Sequence, residues 1–316
     1  MKMIELGKTG LTVSEMCAGT LPLGTLQAKA STEDGAAAIR RAIDLGVNFI
    51  DTAQAYGTYG HVAHAIAGVQ KDLIVASKSH AGNYEDMEKA IYECRKALRR
   101  QVIDIFYLHL VKDEENLHQR SWALRAIEDF KKAGAVRAIG ATTHTNAGLR
   151  AAADCPEIEV VMACINDKGM GIVDGSLEEC LQLCGLCRER GKAVIAMKPL
   201  AGGHFIGRAA EAINYVRALG EVDAIAVGLL TPEEAEADVA IFDEREIPAG
   251  LAASLNAEPK HVIIYESCEC CGRCIERCPQ GALTPRRHKP PVVDPDKCVL
   301  CGYCAEVCPR FAIRVV

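Results

Sequence analysis

The sequence predicts an α/β protein: a (β/α)8 TIM barrel followed by a small, cysteine-rich C-terminal unit. Three observations lead there. Short apolar runs alternate with helical patterns eight times within roughly the first 245 residues, the number of units such a barrel needs. Nine of the sixteen cysteines crowd into residues 268–308. Charge divides the same way. From Tyr265 onward eight Lys/Arg against six Asp/Glu give +2, so with a total of −6 the remainder carries −8. A chain of 316 residues suits a large barrel with an appendage. Its 49 % hydrophobic and 25 % charged residues supply a core and exclude a disordered chain.

The apolar runs are, in order, 14–20, 47–51, 72–78, 104–109, 136–141, 159–166, 193–197 and 223–228. Helical patterns occupy 32–45, 59–67, 84–100, 114–133, 147–153, 177–190, 208–219 and 232–241. Gly46, Gly134, Gly191 and Gly220 close four of them, as glycine commonly does. Strands apolar on both faces and separated by helices make a parallel sheet. The alternative, an open doubly wound sheet, should carry a G-x-G-x-x-G turn after an early strand, and none is present. Residues 1–245 are therefore assigned to the barrel. Residues 246–264, with Pro248 and Pro259, are assigned to a linker strapped along it, and 265–316 to the second unit.

The uncharged run of residues 16–28 is too short to span a membrane and contains Pro22. The start, MKMIELGKTG, has no apolar core of a secretory signal, which implies a cytoplasmic protein. The negative net charge argues against nucleic acid as a partner.

Barrel chemistry sits at the C-terminal strand ends. Those ends offer Asp51 after the second run, Lys78 at the end of the third and His109 at the end of the fourth, with Tyr56 in the loop after the second. Singly, each reads as a cap, a solvated amine or a core histidine. Together they can protonate a carbonyl oxygen: a lysine cation lowers a tyrosine pKa, an aspartate holds the lysine, and a histidine donates to the oxygen.

DTAQAYG (51–57), VASK (75–78) and DIFYLH (104–109) resemble the signatures of the aldo-keto reductase family, and LGKTGLTVS (6–14) resembles the hairpin that closes the bottom of its barrel. The resemblance covers roughly residues 3–245 of the predicted barrel. It implies a catalytic tetrad of Asp51, Tyr56, Lys78 and His109. Tyr56 is the general acid, Lys78 and Asp51 tune it, and His109 orients the carbonyl.

The family's NAD(P)H site is less well matched. Thr142 and Thr143 stand where it usually has Ser-Asn, Met162 where it has Gln, and Met197 where an aromatic stacks on nicotinamide. Where Lys-Ser and Arg hold the NADP phosphate, this chain has GLLTPEEAEAD (228–238). Thr231 reads there as a helix cap, with Glu233 and Glu234 in the first turn, where they repel a phosphate. Gly202 and Gly203 remain candidates to cradle a pyrophosphate. His80, His144, Asn166 and His204, all on the same rim, are candidates to contact a polar or anionic small-molecule substrate.

The second unit carries C-x2-C-x2-C-x3-C-P twice, offset by 30 residues: CGRCIERCPQGAL (271–283) against CGYCAEVCPRFAI (301–313). This is similar to bacterial ferredoxins with two 4Fe-4S clusters, in which the fourth cysteine of each run ligates the other cluster. Cluster one is expected on Cys268, Cys271, Cys274 and Cys308, and cluster two on Cys298, Cys301, Cys304 and Cys278. Two zinc sites, each of four cysteines, are the alternative. Cys270 falls outside the pattern as a spare thiol. Cys180, Cys184 and Cys187 have a cluster-like spacing but lie in a helical pattern, where one buried face explains them. The run Arg286-Arg287-His288-Lys289 reads as a solvated loop or as a dock for an acidic electron partner.

The expected function is an iron–sulfur oxidoreductase of the aldo-keto reductase type. It acts on a carbonyl or related oxygenated small molecule and exchanges electrons with a donor or acceptor protein. The alternatives are an NAD(P)H-dependent reductase with auxiliary clusters and a non-catalytic electron-transfer protein.

Overall fold

A computed structural model describes residues 1–248, 250–251 and 260–315. The predicted linker, 246–264, therefore lies in large part outside the described residues. Its last three residues form a strand that pairs within the C-terminal unit.

Strands β1 (Met3–Glu5) and β2 (Thr12–Ser14) form an antiparallel hairpin. Eight parallel strands then close a barrel: β3 (Met16–Gly19), β4 (Phe49–Asp51), β5 (Ile74–Ser79), β6 (Ile103–Leu108), β7 (Val136–Thr143), β8 (Val160–Cys164), β9 (Ala193–Met197) and β10 (Ala224–Gly228). Each falls within or against its predicted run. Their two faces feed two cores. Cys17, Phe49, Ala76, Ile105, Tyr107, Met162 and Ile195 point inward and meet Leu6, Leu11 and Val13 of the hairpin, which plugs the barrel floor. Outward residues such as Ile50, Val75, Phe106 and Val161 pack under the helices.

The helices are α1 (Thr32–Asp44), α2 (Tyr59–Ile66), α3 (Tyr84–Leu98), α4 (Glu114–Gln119), α5 (Ser121–Lys132), α6 (Asn146–Asp154), α7 (Leu177–Glu189), α8 (Ala209–Arg217) and α9 (Pro232–Phe242). Side chains cap several as the sequence implies. Thr231, for example, accepts from the Glu234 N–H. The helix expected over 114–133 is instead two helices meeting at Arg120. Cys180, Cys184 and Cys187 are buried on one face of α7, as its spacing requires.

The C-terminal unit has β11 (Val262–Ile264) paired antiparallel with β14 (Ile313–Val315), and the hairpin β12 (Leu283–Arg286)–β13 (Lys289–Val293). The short helices α10 (Arg273–Arg277) and α11 (Tyr303–Glu306) follow Gly272 and Gly302, whose φ angles are 81° and 79°. The sequence repeat is thus also a structural one. The unit lies on the C-terminal rim of the barrel. Gln27 donates to the Leu300 carbonyl at 2.9 Å, and His204 meets the Cys298 carbonyl at 2.7 Å. Two glycines permit this approach. A Cβ at Gly202 would lie 2.1 Å from the Val299 oxygen, and one at Gly302 would lie 2.0 Å from the Leu26 oxygen.

Candidate active site

Register sets the rim. Asp51 pairs across from Ala76, and Lys78 from Tyr107, so the ends of β4, β5 and β6 converge. Lys78 Nζ donates to Asp51 Oδ2 at 2.5 Å and to the Thr52 carbonyl at 2.9 Å. It also lies 4.9 Å from the centre of the Tyr56 ring. Tyr56 and His109 meet edge to face with ring centres 6.0 Å apart. The four residues of the resemblance are thus brought together, and all are buried.

Burial dominates their ionisation. It pushes the Tyr56 phenol well above its ordinary range, with Tyr303 and Asp51 adding to the rise. It raises Asp51 against the opposing pull of Lys78, and it holds His109 well below the usual histidine range, as a neutral ring. The expected lowering of Tyr56 by Lys78 is not what this geometry gives, because the amine spends its hydrogen bonds on Asp51 and Thr52 and touches only the ring.

The scaffold behind these residues is polar and satisfied. A hydroxyl chain, Thr20–Thr58 at 2.9 Å and Thr52–Thr58 at 2.7 Å, pins the loop that carries Tyr56. Arg120 turns inward at the α4–α5 break and donates to the carbonyls of Ala81, Ser79 and His109 at 2.9–3.2 Å.

The residue that sequence reasoning missed is Tyr303. It comes from the C-terminal unit, is 4 % exposed, and places its hydroxyl 3.1 Å from His109 Nε2. It packs with Leu26, Ala53 and Tyr56, and Cys301 lies against the same group. The Arg277 guanidinium sits 4.8 Å from the centre of its ring. A tyrosine next to a cysteine motif carries no signal of this, since the contact spans 194 residues of sequence.

The expected substrate residues fare differently. His80 stacks on His109 with ring centres 4.0 Å apart. His144 is buried against Cys164 and accepts from Gln280 Nε2 at 2.9 Å. Asn166 donates to the carbonyls of Met170 and Lys198 and accepts two backbone N–H groups. His204 holds the C-terminal unit. The last three are therefore engaged by the chain itself.

A cavity of about 860 Å3 opens beside Tyr56 and Asp51. Met162, Met197, Gly202 and Gly203 line it, with Lys198, Arg208 and Lys260 facing Glu233, Glu234 and Asp238. Thr142 lies elsewhere: its hydroxyl accepts from the Leu110 N–H at 3.0 Å. Gly202 is bare because Val299 approaches it. Arg208 is paired with Asp167 and Glu211.

The cysteines surround two separate cavities. One is lined by Cys268, Cys271, Cys274 and Cys308, with Cys270 beside them, the other by Cys278, Cys298, Cys301 and Cys304. The fourth cysteine of each run thus crosses to the other set. The Ala282 and Ala312 N–H groups donate to the sulfurs of Cys278 and Cys308 at 3.4 and 3.2 Å, the same contact in each repeat. Such donors favour the thiolate form that ligates iron. Among the described residues no three His, Cys, Asp or Glu side chains are placed to hold a single metal ion.

Residues 15–244 match the Aldo/keto reductase family, and residues 291–314 match the 4Fe-4S binding domain. L-galactose dehydrogenase of Arabidopsis thaliana is 28 % identical over 226 residues, 64 % of this chain and 66 % of its own, so the match spans just under two thirds of that relative. The 6-dehydroglucose reductase of Novosphingobium aromaticivorans is 25 % identical over 63 % of this chain and 69 % of its own. An aldo-keto reductase from Bacillus halodurans, solved in its holo form, superposes with a TM-score of 0.64 at 20 % identity, over 81 % of this chain and 95 % of that one. A putative aldo-keto reductase from Pseudomonas aeruginosa gives the same TM-score at 22 % identity, over 81 % and 96 %. These structures share the fold. With the closed barrel and the extent of the family match, the chain is a member of the aldo/keto reductase family, an oxidoreductase that also carries a 4Fe-4S binding domain.

Proposed function

We propose that this protein is an iron–sulfur oxidoreductase that reduces a carbonyl or related oxygenated small molecule, with Tyr56 as the proton donor. The crossed cysteine sets would hold two 4Fe-4S clusters, which would supply electrons one at a time; reduction of a carbonyl takes two such electrons and two protons, one from Tyr56 to the oxygen and one from solvent to the carbon. The observation that carries this reading is the seating of the C-terminal unit on the barrel mouth, with Tyr303 and Cys301 against Tyr56 and His109. Tyr56 borders the large cavity and keeps its proton because it is buried. It donates that proton to the substrate oxygen as negative charge develops there. His109, neutral, orients that oxygen once Tyr303 yields its place. Lys78 neutralises Asp51 and supports the Tyr56 ring. Among the described residues Asp51 Oδ1, His80 Nε2 and His109 Nδ1 are buried without a hydrogen-bond partner, so the rim retains polar capacity for a bound molecule.

A second reading, an NAD(P)H-dependent reductase with auxiliary clusters, is favoured by the cavity beside Tyr56, which is large enough for a cofactor. Glu233 and Glu234 in its wall oppose the NADPH phosphates, although Lys198, Arg208 and Lys260 line the same cavity. Losing several hydrogen bonds and a charge contact, each about 0.5–3 kcal/mol, weakens NADPH binding to a Kd above roughly 1 mM. Anaerobic titration of the protein with NADH, NADPH and reduced ferredoxin, following cluster absorbance, separates the two. Reduced ferredoxin or dithionite is expected to support turnover without nucleotide. Micromolar NADPH binding with rapid nicotinamide oxidation on substrate addition would promote the second reading.

A further inference from the structure

The two cysteine repeats provide an internal control. At the residue three places after the last cysteine of each run, both backbones are left-handed: Gly281 has φ 59° and Phe311 has φ 50°. Glycine adopts this conformation freely, whereas an aromatic residue is strained in it. Phe311 is also 71 % exposed, the most exposed of the large hydrophobic residues described. Neither the backbone nor the core gains from phenylalanine there.

The cysteine set that Phe311 follows in sequence is bordered by basic side chains. Arg286 and Lys289, with Arg310, line the cavity of Cys268, Cys271, Cys274 and Cys308. Arg287 and His288 form the exposed turn between β12 and β13. Among the described residues, Arg310 pairs with Glu269, while no ion pair engages Arg286, Arg287 or Lys289. This is the positive end of a negative molecule, since the unit carries +2 and the remainder −8. The cysteine set it borders faces outward, with Cys271 exposed, while Cys301 of the other set faces Tyr56.

We infer that Phe311 and the Arg286–Lys289 turn form a docking surface for a small, acidic, one-electron carrier protein. The surface rests on the two-cluster reading above. An acidic partner is repelled by most of this protein and attracted to this end. Phe311 provides an apolar anchor inside the charged rim. A carrier seated there gives up one electron to the outward-facing cluster set; no bond is made or broken and no proton moves.

The test uses the anaerobic holoprotein and a small acidic bacterial ferredoxin as probe, with binding read by calorimetry at several salt concentrations. Wild type is expected to bind more weakly as salt rises. Phe311→Gly should weaken binding about tenfold, the loss of one anchoring contact. It should leave the melting temperature unchanged or raised, because it copies Gly281. Arg287→Glu should weaken binding and flatten the salt dependence. Binding unaffected by both substitutions, or strengthened by salt, would overturn the docking surface while leaving the clusters standing. Iron well below about eight atoms per chain would overturn the two-cluster reading and the proposal with it.

Discussion

Lys78 lies between Asp51 and the ring of Tyr56, yet removal of each residue should have separable effects. Tyr56→Phe deletes one oxygen that borders a cavity, so folding and cluster content should hold while turnover falls by about 10^2–10^4, the usual worth of a positioned proton donor. Lys78→Met also strands the buried Asp51 carboxylate. Breaking such a pair costs about 3–5 kcal/mol, so this variant should lose both turnover and stability. Thermal melts beside turnover assays check both. Near wild-type activity of Tyr56→Phe would rule out proton donation by this residue. Titration adds a second residue-scale expectation. Burial lowers His80 to about 4 and His144 to about 3. The neutral rings are therefore stable in the fold. That stability is complete above the unfolded pKa of about 6.5 and is lost as pH falls toward the folded values. By pH 5 each should cost about 2 kcal/mol. The melting temperature should fall between pH 7.5 and 5, and His144→Gln should show a smaller fall. An equal fall in the variant would remove His144 from the account.

At the level of elements, α11 and its preceding glycine decide whether the two units meet. Gly272 and Gly302 have almost the same φ, but a Cβ at Gly272 meets nothing within 4 Å, whereas one at Gly302 strikes the Leu26 carbonyl. Gly272→Ala should therefore cost only the left-handed strain, about 1–2 kcal/mol. Gly302→Ala carries the same strain and in addition pushes α11, with Tyr303, off His109. Its expected signature is faster hydrogen exchange in the 21–30 segment and at least tenfold lower turnover. Identical behaviour of the two variants would show that the contact with Leu26 does not matter. The break between α4 and α5 belongs to this scale too. The amphipathic pattern runs unbroken through 114–133, so the sequence reads as one helix. At the break Arg120 donates to the carbonyls of Ala81, Ser79 and His109, long-range contacts that the local pattern does not encode.

Across the whole molecule, the crossing of the cysteine runs ties the two halves of the C-terminal unit together. Protein purified without oxygen is expected to carry about eight iron and eight sulfide per chain. Cys308→Ala should damage the set of Cys268, Cys271 and Cys274, more than thirty residues upstream, and spare its sequence neighbours. Spectroscopy of the remaining cluster reads this directly. Loss confined to the set of Cys298, Cys301 and Cys304 would mean that the runs do not cross. Both units place chemistry at one junction, the barrel rim, so damage to either half should reach the same site.

The order of strands and helices is legible in the sequence, because alternation of apolar and helical patterns is local. So are the cysteine spacing and the four rim residues, three of them at strand ends and Tyr56 in the turn just after one. What faces those residues is set by long-range packing. Tyr303 on His109, Gly202 under Val299 and His204 on Cys298 are contacts between units far apart in sequence, and no local pattern encodes them. The ionisation of Tyr56 was decided there too. A lysine on the neighbouring strand end implies a lowered pKa, whereas the desolvation that raises it comes from the barrel, the C-terminal unit and Tyr303 closing over the phenol together.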